Sequence, residues 1–324
     1  MSANTAELRL KSAEGLELRL LTFGASWVGC RLPLRDGTHR EVLLGFESTE
    51  AHRANRAYVG ATVGRWANRI VGSVLHHGGR TWPLLTEPGL QHQLHGGPGG
   101  FHQREWRLDD LGASHVVFSL HSPDGDQGFP GALDVTVSYT LGPDLSVEVV
   151  FDAVIRGAQA CPLSMTNHAY FQLDGVRTGL PMGVPQDVRQ QRLQIAAAHY
   201  LPVDDRGWPD GDPQSVQGTR FDFQHERCIE AALDHAFLLQ GGASLWSTDR
   251  CVTLHVDTSM PALQVYSGEF LPQGTGGHWP QFSGIALEPG WLPDSPHHPD
   301  WPQPSCWLEP GQRWQHRIGY RFAV

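Results

Sequence analysis

The sequence lacks the features that usually identify a nucleic-acid-binding or membrane protein. Its 324 residues carry 24 Lys and Arg against 34 Asp and Glu, a formal net charge of −10, and the basic residues form no run. Phosphate binding requires clustered Lys and Arg, so no nucleic-acid partner is expected. No stretch is apolar over the length that crosses a bilayer, and the N-terminus has no apolar signal-peptide segment. We therefore expect a soluble protein with no membrane partner.

Cysteine is also scarce and shows no pairing pattern. The chain has five cysteines, an odd number, and no C-x-x-C spacing. This pattern argues against a disulfide framework and against a structural zinc site, and it favours a reducing compartment. The expected location is the cytoplasm.

Helical periodicity is rare, and an alternation of apolar and polar residues with a period of two takes its place. The alternation runs through residues 16–20, through a predicted hairpin over 132–155, and through the C-terminal segment 313–322. A short helix is predicted within 47–60, whereas 230–239 is compatible with either a helix or a strand.

The composition fits many short strands joined by turns. The chain has 37 Gly and 23 Pro, and with 40% hydrophobic and 18% charged residues it can bury a large core. No low-complexity linker, internal repeat or block of like charge divides it. We therefore predict an all-β protein in which residues 1–324 form one large antiparallel β-sandwich domain with few short helices.

The segment SMTNHAYFQLDG, residues 164–175, carries a polar or aromatic side chain at every second position. Because alternate side chains of a strand point to opposite faces, Thr166, His168, Tyr170 and Gln172 are predicted to share one face. The residues between them are mostly apolar and predict a core face. The first face is therefore a candidate for contact with a polar ligand.

Two later segments repeat this pattern. In PALQVYSG, Gln264 and Tyr266 point away from the apolar side chains, and in SGIALEPG, Glu288 lies opposite Ile285 and Leu287. An isolated buried charge is costly. Glu288 therefore either reaches solvent or lies in a cleft that tunes its pKa.

Each of these features also has a simpler explanation. A strand Glu is commonly exposed, and a strand His is commonly a structural residue. The sequence LHGG at 94–97 is most simply a turn, and GRWANRIVG at 64–72 is most simply a loop with surface arginines. The order in which the motifs occur carries more information than any one of them.

Taken in order, the motifs resemble those of the aldose 1-epimerase, or galactose mutarotase, family. GATVGRWANRIVG resembles the family's Gly-Arg-x-x-Asn-Arg-Ile segment, LHGGPGGFHQREW its Leu-His-Gly-Gly block, and TNHAYFQL its Thr-Asn-His-x-Tyr-Phe-Asn-Leu strand. SPDGDQGFPGALDVTVSYTL, LDHAF, PALQVYSG and IALEPGWLPDSPHHP resemble four further family segments. The resemblance covers most of the chain, from about residue 60 to the C-terminus.

The resemblance implies a galactose mutarotase-like β-sandwich (a supersandwich) with an open cleft, a hexose substrate, no cofactor and no metal. It implies that Glu288 is the catalytic base, that His168 is the catalytic acid, and that His95 is a second histidine at the reacting centre. The sugar-binding residues that it implies are Arg69, Asn68, Asp234 and Gln264. The departures from the family pattern, which bear on sugar preference, are Gln172, Glu269, Pro289 and Gly290.

The residues suit the chemistry of mutarotation. Opening a cyclic hemiacetal needs a base for the anomeric hydroxyl and an acid for the ring oxygen. Ordinary pKa values of about 4.3 and about 6.5 leave Glu288 ionised and His168 partly charged near neutral pH, and Asp234 is expected to raise the pKa of His168. The candidates for an aromatic platform beneath the sugar are Trp66, Trp279 and Trp291.

Other functions remain compatible with the sequence. A non-catalytic carbohydrate-binding protein would need no His168–Glu288 pair, and a glycosidase would need a second carboxylate, for which Asp234 is the obvious candidate. A mutarotase of hexose 6-phosphates would need additional Arg or Lys near the cleft. A metal enzyme is disfavoured because the 18 histidines form no H-E-x-x-H motif. The oligomeric state is open between a monomer and a homodimer.

Overall fold

Strand formation follows the alternation in the sequence. A computed structural model describes residues 5–54, 56–176, 187–271 and 279–324. The strands of these ranges, numbered in chain order, are β1 (Glu7–Lys11), β2 (Glu17–Leu21), β3 (Ser26–Pro33), β4 (His39–Glu41), β5 (Thr62–Val63), β6 (Arg69–Val71), β7 (Val74–His77), β8 (Arg80–Pro83), β9 (His92–Leu94), β10 (Arg107–Leu111), β11 (His115–Ser122), β12 (Ala132–Gly142), β13 (Ser146–Arg156), β14 (Cys161–Pro162), β15 (Thr166–Asn167), β16 (Tyr170–Phe171), β17 (Arg192–Ile195), β18 (His199–Tyr200), β19 (Gln214–Ser215), β20 (Arg227–Cys228), β21 (Asp234–Leu238), β22 (Ala243–Trp246), β23 (Thr253–Thr258), β24 (Ala262–Tyr266), β25 (Ile285–Gly290), β26 (Trp307–Leu308) and β27 (Arg313–Ala323).

The described residues contain one α-helix, α1 (Thr49–Ala54), which lies inside the segment predicted to be helical. Ser48 Oγ accepts a hydrogen bond from the N–H of Ala51 and so caps the first turn. Single turns of 3₁₀-helix lie at Phe101–Gln103, Asp126–Gly128, Val188–Gln190 and Ser295–His297. The segment 230–239, which was compatible with a helix or a strand, contains a strand, β21.

The strands of the described ranges form two large sheets and several small ones, and their pairings are antiparallel. One large sheet has nine strands in the order β10-β11-β12-β13-β27-β23-β22-β17-β20, and the other has six in the order β16-β25-β24-β21-β18-β19. The predicted hairpin is β12–β13, paired from Ala132↔Arg156 to Gly142↔Ser146. The predicted C-terminal strand is β27, which continues the nine-stranded sheet beside β13.

The apolar faces of the two large sheets pack against one another. The Phe171 ring of β16 lies 5.5 Å from the Tyr320 ring of β27, and Trp27 of β3 contacts the rings of Tyr139 and Tyr320. Val265, like these rings, belongs to the main buried cluster. The protein is therefore an all-β antiparallel sandwich, as predicted.

The prediction for residues 164–175 is wrong in two respects. The segment is not one continuous strand, because β15 pairs with β5 while β16 pairs with β25. The predicted polar face is also divided: Thr166 and Gln172 are fully buried, as is the intervening Asn167, whereas His168 and Tyr170 line a cleft. Asn167 Nδ2 donates to the carbonyl oxygen of Gly60 at 2.8 Å, which gives the buried amide group a hydrogen-bond partner.

The GRWANRIVG segment is not a loop with surface arginines. Arg65 is only 2% exposed. Its guanidinium donates to Ser122 Oγ and to the carbonyl oxygens of Ser122, Pro123, Pro130 and Gly131. Arg65 therefore ties the loop that precedes the β12–β13 hairpin to the rest of the sandwich, because each buried N–H finds an acceptor there.

No helix among the described residues is long and apolar enough to cross a membrane. The five cysteines are unpaired, and three of them, Cys30, Cys161 and Cys306, are buried.

Candidate active site

The outer face of the six-stranded sheet carries the polar strand residues found in the sequence. Gln264 of β24 lies directly opposite Glu288 of β25, and Asp234 of β21 lies opposite Tyr266 of β24. Directly opposed residues of an antiparallel pair point to the same face. Because their neighbours, such as Val265, point into the core, these four side chains gather on the face away from it.

A cleft of about 240 Å³ lies over this face. Its walls combine side chains of the six-stranded sheet with side chains from the β5–β6 and β9 regions. The residues that line it are Arg56, Ala57, Tyr58, Asn68, Arg69, Leu94, His95, His168, Tyr170, Asp234, Tyr266, Phe270 and Glu288. Six of the seven residues implied by the family resemblance are therefore brought together.

His168 lies in the break between β15 and β16. Its N–H donates to the carbonyl oxygen of Ala61, and its own carbonyl oxygen accepts from the N–H of Gly60. These bonds hold the backbone of His168, and its imidazole Nε2 lies 3.5 Å from Glu288 Oε1. His168 is 3% exposed and Glu288 is 5% exposed. The predicted acid and base are thus in direct reach of one another inside the cleft.

His95 follows β9 in a left-handed conformation, with φ of 49°. Its Nδ1 accepts a hydrogen bond from the N–H of Asn68 at 3.2 Å, so the neutral ring carries its proton on Nε2. Gly96 is required next to it, because a Cβ at that position would lie 1.9 Å from the carbonyl oxygen of Gly64. His95 is therefore held as a hydrogen-bond donor.

Arg69, Asp234 and Gln264 form one polar chain along the cleft. Arg69 Nη2 lies 3.4 Å from Asp234 Oδ2, and Gln264 Nε2 donates to Asp234 Oδ1 at 2.6 Å. Asn68 Oδ1 accepts from the N–H and from Nη1 of Arg69. Gln264 is not among the cleft-lining residues of the described chain, and it contacts the lining residue Asp234 through its amide.

Burial changes the protonation of the predicted acid and base. It raises the pKa of Glu288 to about 8; the charge of Asp234 adds to this rise, and Arg69 opposes it. Burial lowers the pKa of His168 to about 3. The expectation that Asp234 raises the pKa of His168 is therefore wrong, and the carboxyl group rather than the imidazole holds the proton near neutral pH.

His95, His168 and Glu288 offer three metal-ligating atoms within 4.8 Å of one another. Burial and the neighbouring His168 hold the pKa of His95 well below its ordinary value, so this ring is neutral. Its Nδ1 is occupied by the N–H of Asn68, and its Nε2 carries a proton. At His95 Nε2 a cation would therefore meet an N–H donor instead of a lone pair. The arrangement favours proton transfer over metal binding.

Tyr58 lines the cleft and was not predicted from the sequence. Its ring centroid lies 4.5 Å from that of His95, 4.7 Å from that of His102, and 5.7 Å from that of His168, on which it stacks. Burial raises the pKa of Tyr58 to about 12, so its hydroxyl stays protonated. Tyr58 follows α1 inside the segment predicted to contain a helix, and no periodicity marks it, although it lies beside the GATVGRWANRIVG motif.

The aromatic residues of the cleft are not the predicted tryptophans. Within the described chain, none of Trp66, Trp279 and Trp291 lines the cleft, and Trp66 is completely buried. Tyrosines line it instead, together with Phe270, which is 74% exposed. The most solvent-accessible aromatic ring in the cleft therefore comes from the segment just after β24.

The departures from the family pattern lie outside the cleft lining of the described residues. Gln172 is buried, where Nε2 donates to the carbonyl oxygen of Ser283 and Oε1 accepts from Gln191. Pro289 lies opposite Leu263 in the β24–β25 pairing. Gln172 and Pro289 thus contribute to the framework of the sheet.

The chain matches a family model described as aldose 1-epimerase over residues 7–321. It is 41% identical to an aldose 1-epimerase of Escherichia coli (strain K12), with 98% of this chain and 95% of the relative covered. It is 32% identical to a galactose mutarotase of Bos taurus, with 100% of this chain and 96% of the relative covered.

Solved structures resemble the fold over its whole length. A C. elegans aldose epimerase homologue superimposes with a TM-score of 0.89 at 28% identity, and 99% of each chain is covered. A galactose 1-epimerase from Lactobacillus acidophilus superimposes with a TM-score of 0.84 at 26% identity, with 99% of this chain and 95% of the other covered.

Proposed function

The chain belongs to the aldose 1-epimerase family and is an isomerase, and we propose that it interconverts the α and β anomers of a hexose such as galactose or glucose. The observation that carries the proposal is the approach of His168 Nε2 to Glu288 Oε1, at 3.5 Å, inside the cleft. An acid and a base in direct reach of one another and of the cleft are what ring opening requires.

Glu288 and His168 exchange protons with the sugar in this proposal. Transfer of the carboxyl proton of Glu288 to His168 produces a carboxylate base and an imidazolium acid. The carboxylate takes the proton of the anomeric hydroxyl while the imidazolium protonates the ring oxygen, so that the bond from C1 to the ring oxygen breaks and an aldehyde forms. Rotation about C1–C2 presents the other face of the aldehyde, and the same two groups then act in reverse.

The remaining cleft residues bind and orient the sugar in this proposal. Arg69 and Asp234 offer charged hydrogen-bonding groups to hydroxyls, Gln264 supports Asp234, and Asn68 holds Arg69. His95 donates through Nε2 to an oxygen near the reacting carbon. Because the protein contributes acid, base and orientation, the reaction needs neither a cofactor nor a metal.

Polarimetry on freshly dissolved α-galactose, α-glucose and arabinose tests the proposal. Wild type should speed the approach to equilibrium, and Glu288→Gln should lower the rate by a factor of about 10²–10⁴. Glu41→Gln is the matched control, because this carboxylate accepts the N–H groups of Cys30 and Leu43 outside the cleft. Sugar binding without any acceleration would support a carbohydrate-binding protein, and release of nitrophenol from a nitrophenyl galactoside would support a glycosidase.

A hexose 6-phosphate is a second candidate substrate because of Arg56. This exposed side chain lines the cleft, and in the described part of the chain no ion pair occupies it. Mutarotation rates of wild type and Arg56→Gln on galactose, glucose and glucose 6-phosphate distinguish a free hexose substrate from a phosphorylated one. A phosphate preference that disappears in the variant would favour the phosphorylated substrate, whereas equal use of free sugars by both proteins would favour the first proposal.

Three wider inferences remain predictions. Residues 1–324 are proposed to form a single domain. A cytoplasmic location is proposed from the cysteine pattern, and the protein is proposed to act as a monomer or homodimer without nucleic-acid or membrane partners.

A further inference from the structure

Asp294 is a buried carboxylate to which the proposed reaction gives no role. It is 4% exposed, adopts a left-handed conformation with φ of 63°, and follows the strand of Glu288 by a few residues. It does not line the cleft in the described chain. A buried carboxylate held in an unfavourable backbone conformation requires a reason, and its contacts supply one.

Asp294 binds the strand that begins with Arg69. The N–H of Asp294 donates to the carbonyl oxygen of Arg69 at 2.8 Å, and Asp294 Oδ1 accepts from the N–H of Val71 at 2.8 Å. On its other edge, the same strand pairs with β9 through Arg69↔Leu94. The short β6 is therefore held from both sides.

Two histidines fix the carboxylate itself. His297 Nδ1 lies 2.8 Å from Asp294 Oδ1, and His297 Nε2 lies 2.8 Å from the carbonyl oxygen of Val74. Both partners are acceptors, so His297 donates from both nitrogens and is an imidazolium when both bonds form. His298 Nε2 lies 3.1 Å from Asp294 Oδ2, which gives the second carboxylate oxygen a partner as well.

We propose that Asp294 is a positioning residue that sets the place of Arg69 in the cleft. By fixing the backbone of β6, it directs the guanidinium to 3.4 Å from Asp234 Oδ2 and 3.3 Å from Asn68 Oδ1. The inference rests on the proposed function only in that Arg69 binds the sugar. The segment that follows the catalytic strand thereby organises the binding side of the same cleft.

Steady-state mutarotation by Asp294→Ala tests this inference. The KM should rise about ten-fold while kcat changes little, because a hydrogen bond from a charged donor to the sugar is lost equally in the ground and transition states. Asp294→Asn should restore most of the affinity, since its Oδ1 can still accept from Val71. The alkaline limb of kcat/KM should also move to higher pH, as in Arg69→Met, because Arg69 lowers the pKa of Glu288.

A double variant separates positioning from general destabilisation. In an Arg69→Met background, Asp294→Ala should raise KM no further, because the group that it positions is already absent. Asp126→Ala is the matched control: this carboxylate also accepts two side-chain hydrogen bonds, from Ser122 and Arg104, and should lower the melting temperature without changing KM.

An unchanged KM and pH profile in Asp294→Ala, or additive effects in the double variant, would overturn the inference while wild-type activity stood. Absence of mutarotation in wild type would instead overturn the proposed function. If Asp294→Ala does not fold, His297→Ala removes one anchor of the carboxylate and should raise KM in the same direction. An unaltered KM in that folded variant would count against the inference.

Discussion

His168 Nε2 lies 3.5 Å from Glu288 Oε1, and both side chains are almost fully buried. Burial lowers the pKa of His168 to about 3 and raises that of Glu288 to about 8. Between these two pH values the pair therefore carries one titratable proton. The resting form, with a carboxyl group and a neutral imidazole, contains as many protons as the working form of carboxylate and imidazolium. Their ratio therefore does not depend on pH.

The activity should depend on pH through the ionisation of Glu288. We expect kcat/KM to be constant from about pH 5 to about pH 7 and to fall about tenfold per pH unit above about 8, where the pair loses its proton. Polarimetry corrected for the uncatalysed reaction measures this. A rate that increased through pH 8 would show that ionised Glu288 acts without a protonated partner.

Asp234 should set the position of that alkaline limb. Its charge helps to raise the pKa of Glu288, so in Asp234→Asn the fall in kcat/KM should begin at lower pH, besides any rise in KM. Asp257→Asn, on the nine-stranded sheet, is the control and should leave the limb in place. If kcat/KM fell at the same pH in both variants and in wild type, the charge of Asp234 would not be a cause of the raised pKa of Glu288.

Tyr58 should act through its ring. Tyr58→Phe keeps the stacking on His168 and the contact with His95, so most of kcat should remain, whereas Tyr58→Leu should lower kcat about tenfold or more because the imidazoles lose their support. Steady-state kinetics on both variants measure the difference. Equal losses in the two would assign the effect to the hydroxyl group instead.

Gln264 should act through Asp234. Gln264→Leu removes the 2.6 Å hydrogen bond to Asp234 Oδ1, and KM should rise about ten-fold, as is typical when a hydrogen bond to a charged group is lost. The matched control is Gln194→Leu on β17 of the other large sheet, which should bind sugar normally. A wild-type KM in Gln264→Leu would show that Gln264 does not contribute to sugar binding.

His297 should make stability depend on pH. Its hydrogen bond to Asp294 raises its pKa above the ordinary value, with His298 and His76 as the other titratable neighbours. The stabilisation is complete below about pH 6.5 and is lost as pH rises through the raised pKa. Denaturant unfolding should therefore show a larger deficit for His297→Gln at about pH 6 than at about pH 9. A deficit independent of pH would contradict this linkage.

The sequence was sufficient for the strands because alternation with a period of two reports which faces are buried. This held for the β12–β13 hairpin and for the gathering of Gln264 and Glu288 on one face. It failed for residues 164–175, because their two short strands pair with different partners, and Thr166 and Gln172 of the predicted polar face are fully buried. Burial of that kind depends on tertiary packing, which local periodicity does not encode.

Most of the residues that gather in the cleft were predictable from the sequence, whereas their electrostatics were not. The family resemblance supplied His168 and Glu288, but their pKa values are set by desolvation, which requires the folded structure. Arg65 was interpreted as exposed because charged residues usually are, whereas its guanidinium is buried and donates to acceptors more than fifty residues away. Tyr58 gave no signal, since its three histidine partners are contributed by separate segments.

The register of β25 has a consequence for how the sheet assembles. Glu288 is the only ionisable residue of that strand, and it lies opposite Gln264. Sliding the strand by one residue would turn the carboxylate into the hydrocarbon interior and bring Leu287 to the cleft. Glu288, the residue assigned to catalysis, thus also makes a misaligned pairing of β25 unfavourable. The same side chain supplies the chemical group and specifies the register of its strand.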